Sequence, residues 1–547
     1  MCGIAGILTR CDELALERPL QAMTASLRHR GPDDEGSVQV SLPGGFRLGL
    51  AHTRLSILDL SSAGHQPMAE PESGSWIVYN GEVYNHRELR RRLNDVHFRS
   101  TSDTESILRG WTRLGDATLQ ALRGMFALAL YDGVRRQLWL VRDRLGVKPL
   151  YVAQAGPDTW VFASEVRALL ASELVERRLR PQAIASYLTF GAIAAPWTML
   201  EGVESLLPAE SWCFQLPAND GPLTVERKCY WRPAFAGPSA RLHREEALER
   251  IRPVLLEAVS LRMLADVPVG VFLSGGIDSS SVIAALSAQG HKLRTFSVAF
   301  GERQYDESEH ARAIANRFGT EHAELLLRPR QVLEELEQAL AAYDQPSIDG
   351  VNTYFISHKT RGAGVKVALS GIGGDELFAG YPYFRLLARL QRPGTRSAAR
   401  VAHWFLRWLA PQNVRTTKLG AILRQNGSHL ANYIVCRQVI SSQRGLDLFP
   451  AAGRPLEALP AEVRLQLELA TRNLDPVNAQ SVLELSLYLA NMLLRDLDQM
   501  SMAHSLELRE PLLDHVLVET LAQIPGPLKL EAGARRSNKS LLIDALP

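Results

Sequence analysis

Charge of one sign, paired cysteines and long apolar runs are all scarce in this sequence of 547 residues. Its 61 basic and 59 acidic residues leave a formal charge of +2. No strong overall field therefore draws the chain to nucleic acid or to anionic lipid. Five cysteines, Cys2, Cys11, Cys213, Cys229 and Cys436, are scattered, odd in number and never spaced C-x-x-C. That pattern argues against a disulfide framework and a zinc ribbon, and it favours a reducing compartment. No apolar run approaches the roughly 18 residues of a membrane span; Arg407 interrupts the nearest candidate, residues 404–409. The first residues, Met1-Cys2-Gly3-Ile4-Ala5-Gly6, lack the basic region and apolar core of a secretory signal. A cytoplasmic location is the expectation, with neither a membrane nor a nucleic-acid partner.

What is present is ordinary globular material, 46% hydrophobic and 22% charged, enough for more than one core. Residues 76–79 form an apolar strand pattern ending in the turn pair Asn80-Gly81. Residues 126–131 and 137–141 flank Asp132-Gly133, a hairpin signal. Helical patterns cover 85–93 and 104–114; Asn85 with Glu88 three residues on suggests a capping box for the first. Strands mixed with helices predict an α+β domain with antiparallel sheets over residues 2–195. Residues 196–243, punctuated by Pro196, Pro208, Pro217, Gly221-Pro222 and Gly237-Pro238, look like a linker or connecting segment. From 244 to 547 strands alternate with helices, as in an α/β doubly wound parallel sheet, and beyond about Leu386 the pattern is mainly helical.

Two groups of residues carry chemistry. Once Met1 is removed, Cys2 combines a thiol with a free α-amine, and an amine of pKa about 8 can act as base for its own side chain. Position alone says little, because a cysteine at position 2 is more often incidental. Arg54, Asn80-Gly81-Glu82, and Asp103 in Ser102-Asp103-Thr104-Glu105 change that weighting. Taken singly they read as surface charges, a hairpin turn and an acidic helix cap. Taken in order, Met-Cys-Gly-Ile-Ala-Gly, Arg-His-Arg-Gly-Pro-Asp (28–33), Tyr-Asn-Gly-Glu-Val-Tyr-Asn (79–85) and Ser-Asp-Thr-Glu resemble a class II glutamine amidotransferase domain. The resemblance implies an N-terminal-nucleophile sandwich, layered αββα. It also implies that Cys2 attacks the side-chain amide of glutamine. Arg54 would then bind the α-carboxylate, Glu82 and Asp103 the ammonium, and Asn80 with the Gly81 N–H the oxyanion.

The second group begins after the strand pattern 267–273, where Ser274-Gly275-Gly276-Ile277-Asp278-Ser279 opens a helix. Small residues at a helix N-terminus suit a phosphate, and the loop has no lysine, so it is not a Walker A motif. The bland alternative is a serine-capped turn. A second loop, Ser370-Gly371-Ile372-Gly373-Gly374-Asp375-Glu376, fails as a dinucleotide fingerprint because Glu376 stands at the third glycine position. The Ser-Gly-Gly-x-Asp-Ser run resembles the pyrophosphate loop of the ATP pyrophosphatase fold. By that resemblance Leu273, Ser274, Gly275, Gly276, Asp278, Ser279, Ser370 and Gly371 would border ATP. Asp278 and Asp375 would hold Mg2+, and Lys539 would contact phosphate or the adenylate. Tyr305-Asp306-Glu307, 498–503 and 507–514 also look like that family.

Together the halves are similar to the glutamine-hydrolysing asparagine synthetases of the bacterial B type over almost the whole chain. The resemblance implies an ATP-dependent carbon–nitrogen ligase using glutamine, aspartate, ATP and Mg2+, and it leaves a homodimer open. Two other readings stand beside it: amidation of a different carboxylate (a sugar acid, peptide or specialised metabolite), and a non-catalytic binding descendant. Two departures from the family pattern are present. Ile372 occupies a position where many relatives carry an acid, and the chain stops at Pro547, soon after Lys539, which leaves that lysine with little visible anchorage.

Overall fold

The computed structural model describes residues 2–94, 96–300, 308–391, 394–409, 414–425, 428–441, 457–531 and 538–547. Tyr305-Asp306-Glu307 lies outside them. The N-terminal part holds two six-stranded antiparallel sheets. The first runs Val203–Ser205, Tyr151–Gly156, Thr159–Ala163, Gly3–Thr9, Arg47–Arg54, Asp34–Ser41 in spatial order. The second runs Thr224–Cys229, Glu210–Gln215, Gln137–Arg142, Gly124–Asp132, Ser75–Val83, Met68–Glu70. Side chains alternate between the two faces of a strand, and in the inner strands both faces are apolar. Ile4, Leu8, Leu48 and Leu50 of the first sheet meet Val78, Ala129 and Leu140 of the second. Ala5 and Ile7 turn outward onto Leu20 and Met23 of the helix Glu17–Ser26. Ile77, Leu128 and Leu130 turn outward onto Ile107, Leu108 and Trp111 of the helix Asp103–Leu114. The layering is αββα, as the resemblance to class II glutamine amidotransferases implied.

Three local expectations fail for identifiable reasons. Asn80-Gly81 is no turn: the strand Ser75–Val83 runs through it, with Asn80 opposite Ala127 and Gly81 opposite Phe126. Glycine is needed there because a Cβ would lie 2.1 Å from the Met125 carbonyl oxygen. Asn85 does not cap the helix His86–Arg92 with its side chain; instead its carboxamide accepts from Arg123 N and donates to Ala121 O, both at 2.9 Å. Finally, much of 196–243 is sheet rather than linker, since three strands within 203–229 extend both sheets. Trp212 and Phe214 alternate into the core between them, while Pro208 and Pro217 stand just outside the strand Glu210–Gln215, where they withhold no ladder hydrogen bond.

The second part is built on a five-stranded parallel sheet in the order Glu321–Leu327, Arg294–Phe300, Val269–Phe272, Val367–Leu369, Glu507–Arg509. The chain leaves Val269–Phe272 toward one edge and returns on its other side. That reversal is a topological switch point, where open α/β sheets place their ligands. The three-residue strand Glu507–Arg509 was legible only as a motif, because so short a segment shows no periodicity. Most later elements are helices. Among the described residues no helix is long and apolar enough to cross a membrane.

Full burial of Trp212 between the sheets tests the corrected position of its segment. Trp212→Ala is expected to cost about 3–5 kcal/mol, read as an earlier first transition in guanidinium titration. An unchanged first transition would mean that these residues are only a tether.

Candidate active sites

Cys2 precedes the central strand Gly3–Thr9 and is buried. Its backbone N–H donates to Asn80 Oδ1 at 2.8 Å. With that oxygen engaged, the Asn80 carboxamide nitrogen is buried and has no partner among the described residues. Cys2, Arg54, Gly81, Glu82 and Asp103 line one cavity, together with Gln66 and Tyr79. Arg54 is held by the carbonyls of Leu58, Asp59 and Ser61, which fix its fork. Asp103 is no helix cap: Ser102 Oγ does that by accepting from Thr104 N at 3.1 Å. The Asp103 carboxylate instead accepts from Tyr79 OH and Val83 N, each at 2.8 Å. Burial pushes the Cys2 thiol and the Asp103 carboxyl up from their ordinary values. Burial, then the neighbouring Asp103, pushes Glu82 up as well. A thiol so placed needs a base, and carboxyls so placed are stabilised in their ionised form by an arriving cation.

One wall of this cavity comes from the other half of the chain. Glu507 lines it, and Arg509, with no exposed side chain, bridges Glu507 at 2.6 Å and Glu82 at 3.0 Å. Burial opposes ionisation of Glu507, yet Arg509 holds its carboxyl below the ordinary range. Sequence reasoning marked 507–514 without assigning these roles. Their spacing was the available signal, since residues two apart share one face of a strand.

The second site lies at the switch point. Leu273, Ser274, Asp278, Ser279, Ser370, Gly371 and Asp375 line a cavity of about 840 Å³. Gly275 and Gly276 shape its rim rather than its wall. Gly275 adopts φ +77°, and a Cβ there would stand 2.7 Å from His310 Cβ. The two loops touch backbone to backbone, since a Cβ on Gly371 would be 2.7 Å from Ser279 N. Lys539 enters from the C-terminal segment, its Nζ 2.7 Å from Asp278 Oδ2 and 2.8 Å from Asp375 Oδ1. Its anchorage is better than the sequence suggested. Leu541, Leu542 and Ala545 are buried in the main core, and Arg244 pairs with Asp544 at 2.7 Å.

Burial pushes Asp278 up to about 6, against the pull of Lys539 and with the help of Asp375. Among the described residues no group of three or more histidine, cysteine or acidic side chains could hold a metal. Magnesium needs less, because it takes one or two carboxylates and completes its shell with phosphate and water. Asp278 Oδ1 is buried and without a described partner, which fits that donor set. Ile372 also lines the cavity, and so does Glu376, whose carboxylate accepts from Tyr381 OH at 2.6 Å. Glu376 was the residue the sequence reading passed over, having treated it only as a flaw in a glycine fingerprint.

The asparagine synthase family model matches residues 250–546, which contain every residue of this second site. The chain belongs to the asparagine synthase family. A glutamine amidotransferase domain model matches residues 1–231, extending to the end of the added strands. Relatives agree. A Methanocaldococcus jannaschii protein, provisionally named glutamine-hydrolyzing asparagine synthetase 2, is 34% identical over 70% of this chain and 76% of its own length. The glutamine-hydrolyzing asparagine synthetase 1 of Bacillus subtilis is 28% identical over 98% of this chain and 83% of its own. Amidase chyE of Penicillium rubens is 30% identical over 97% and 83%. This asparagine synthase family member thus carries both halves of the pattern in one chain.

Lys539 supplies the cation between the two acidic loops. Lys539→Met is expected to destabilise the parallel-sheet half by about 1–3 kcal/mol, less than a wholly buried pair because Asp375 is 35% exposed. Calorimetric melting of the variant beside the parent protein measures it.

Proposed function

We propose that this chain is a glutamine-dependent asparagine synthetase, an ATP-dependent ligase that moves the amide nitrogen of glutamine to the β-carboxylate of aspartate. The observation that carries the reading is the pairing of two sites in one molecule. One holds Cys2 beside a buried, unengaged Asn80 donor, and the other holds a glycine-loop cavity with Asp278, Asp375 and Lys539. With Met1 removed, the α-amine of Cys2 takes the thiol proton, which the buried sulfur does not readily release to water. The sulfur attacks the glutamine carboxamide carbon, and Asn80 Nδ2 with the Gly81 N–H stabilises the oxyanion. Arg54 would orient the α-carboxylate, and Glu82 and Asp103 the ammonium. On collapse the α-ammonium returns that proton to the departing nitrogen, which leaves as ammonia, and the remaining thioester is cleaved by water to glutamate.

At the second site the loop 274–279, at the N-terminus of the helix Ile277–Ala288, would cradle the phosphates of ATP. Asp278 and Asp375 would hold Mg2+, which when bound neutralises phosphate charge. An aspartate carboxylate oxygen attacks the α-phosphorus and pyrophosphate departs, its charge met by Lys539. Ammonia then adds to the acyl carbon of the adenylate and AMP leaves. Ile372 cannot accept the proton that nitrogen loses. Glu376, a buried carboxyl in the same cavity pushed above its ordinary range by that burial, can. In this reading the amidotransferase part runs through about residue 229 and the synthetase part starts with the helix Arg244–Leu261, supported by the strand Thr224–Cys229 that joins the second sheet. A cytoplasmic enzyme with small-molecule substrates, monomeric or homodimeric, completes the reading. Amidation of a different carboxylate is the second reading, favoured by the apolar Ile372 in the cavity wall and by similarity to a fungal amidase.

Turnover with aspartate against a panel of carboxylates separates the two: aspartate-dependent release of pyrophosphate and AMP is expected, and release with another acid alone would overturn the asparagine assignment. Separable chemistry is a further expectation. Cys2→Ala should abolish glutamine hydrolysis while external ammonium still supports amide formation near or above neutral pH. Asn80→Ala should lower glutamine hydrolysis by about 10²–10³-fold and spare ammonia-dependent synthesis. Asp278→Asn should show the reverse pattern. Full glutamine-dependent synthesis by Cys2→Ala would remove Cys2 from the mechanism.

A further inference from the structure

Between the two sites lies a third, small cavity of about 10 Å³, near the lower limit for one water-sized molecule. Tyr84 and Met125 form its wall on the amidotransferase side, and Arg262, Glu510 and Leu513 on the synthetase side. One residue separates it from each active site. The Met125 carbonyl lies against Gly81 of the Cys2 pocket, where a Cβ would approach to 2.1 Å. Leu513 lies against Gly373 of the ATP-side cavity, where a Cβ would meet Leu513 Cδ2 at 2.5 Å.

The charged groups around this cavity are engaged, with one exception. Arg262 pairs with Asp514. Arg144 donates to the carbonyls of Leu119, Gln120 and Leu122. Asp143 accepts from the backbone N–H groups of Leu145, Val147 and Lys148. His515 is held neutral, pushed down to about 3 by burial, and the buried Tyr84 hydroxyl is pushed far above its ordinary value. The Glu510 carboxyl, though buried, makes no hydrogen bond or ion pair with any described residue. No step of the chemistry above uses it.

Resting on the glutamine-to-amide reading, we propose that Glu510 is the proton-handling station on the route by which ammonia passes from the Cys2 pocket to the ATP-side cavity. An ionised Glu510 accepts a hydrogen bond from an ammonia N–H and leaves the nitrogen lone pair free, so a nucleophile travels on. A protonated Glu510 transfers its O–H proton to that lone pair, giving a carboxylate and an ammonium ion. The ion pair stays in the cavity and synthesis is uncoupled from glutamine hydrolysis. Burial pushes the group up to about 7; Lys148 and Arg262 draw it down, and Asp498 and Glu507 raise it. Its charge therefore changes around neutral pH, ionised above and protonated below.

The test measures amide formed per glutamate released, with the acceptor that the full-length protein amidates, from about pH 6 to 8. External ammonium replaces glutamine in a parallel series. The parent protein is expected to gain coupling several-fold with rising pH, at most about tenfold, the change in ionised fraction of one group titrating near 7. In Glu510→Gln, which neither gives nor takes a proton, the ratio should vary less than about twofold. Glutamine hydrolysis and ammonium-dependent synthesis should persist. A parental slope in Glu510→Gln with both half-reactions intact overturns the proposal. If that variant does not fold, Glu510→Asp replaces it: a slope displaced in pH supports the station, and a slope identical to the parent's overturns it. Absence of amide from ammonium in the parent protein, with every carboxylate, would overturn the functional reading itself and this proposal with it.

Discussion

Two guanidinium groups with no exposed surface, Arg30 and Arg509, tie the halves of this molecule together around Cys2. Arg30 donates to the Cys2 carbonyl at 3.0 Å and pairs at 2.8 Å with both Glu165 of its own half and Asp498 of the other. Arg509 reaches back the opposite way, from the edge of the parallel sheet to Glu82. A buried ion pair contributes little net stability over an apolar replacement, but removing one partner costs about 3–5 kcal/mol because the other charge is stranded. The association of the halves is thereby made all-or-none. Either half alone would leave a buried carboxylate or guanidinium unpaired beside Cys2. The glutamine pocket is accordingly shared: Glu507, a synthetase-side residue, stands in its wall. A displacement of the parallel sheet would be felt at Glu82 through a single side chain.

At the other end the organising constraint is electrostatic as well. Two loops approach so closely that only glycine fits at Gly371, and that approach brings Asp278 and Asp375 onto one ammonium group. Without Lys539 the two carboxylates would raise each other's affinity for protons. With it, the two carboxylates share one counter-ion, and on the proposed chemistry a phosphate-bound cation would take its place with little change in local charge. Such exchange suits a site that must admit and release a highly charged nucleotide.

How much of this could be read from sequence depended on whether local pattern and tertiary role agreed. The αββα layering was legible only through the resemblance to class II glutamine amidotransferases, local pattern giving no more than antiparallel sheets with helices, whereas the alternation of strands with helices announced the parallel sheet. Cys2, Arg54, Glu82 and Asp103 were legible as an ordered set, and the structure gathers them into one cavity. The failures share a cause. Asn80-Gly81 and Asn85 have local chemistry suited to a turn and a cap, but long-range pairing to 121–127 took both over. Prolines that mark a linker in isolation mark strand ends once a neighbouring strand supplies hydrogen bonds. The roles of Glu507 and Arg509 could not be assigned from their own segment because the pocket they border and its Glu82 lie hundreds of residues away.

The position of Ile372 follows from the same charge arithmetic. Among the described residues its cavity is lined by Asp278, Asp375 and Glu376, and the Lys539 ammonium pairs with the first two. Burial pushes Glu376 up, against the hydrogen bond it accepts from Tyr381. A further carboxylate four residues before Glu376 would face three acids in a partly desolvated space, and each would drive the others toward their protonated forms. An apolar residue there adds no further negative charge beside Asp278, whose carboxyl burial and Asp375 already push up. On the proposed chemistry the acid–base duty falls to Glu376, whose carboxyl burial holds above the ordinary range. In this reading the loss of one acid and the buried setting of another are a single compensated change, made within one turn of the Ser370–Glu376 loop.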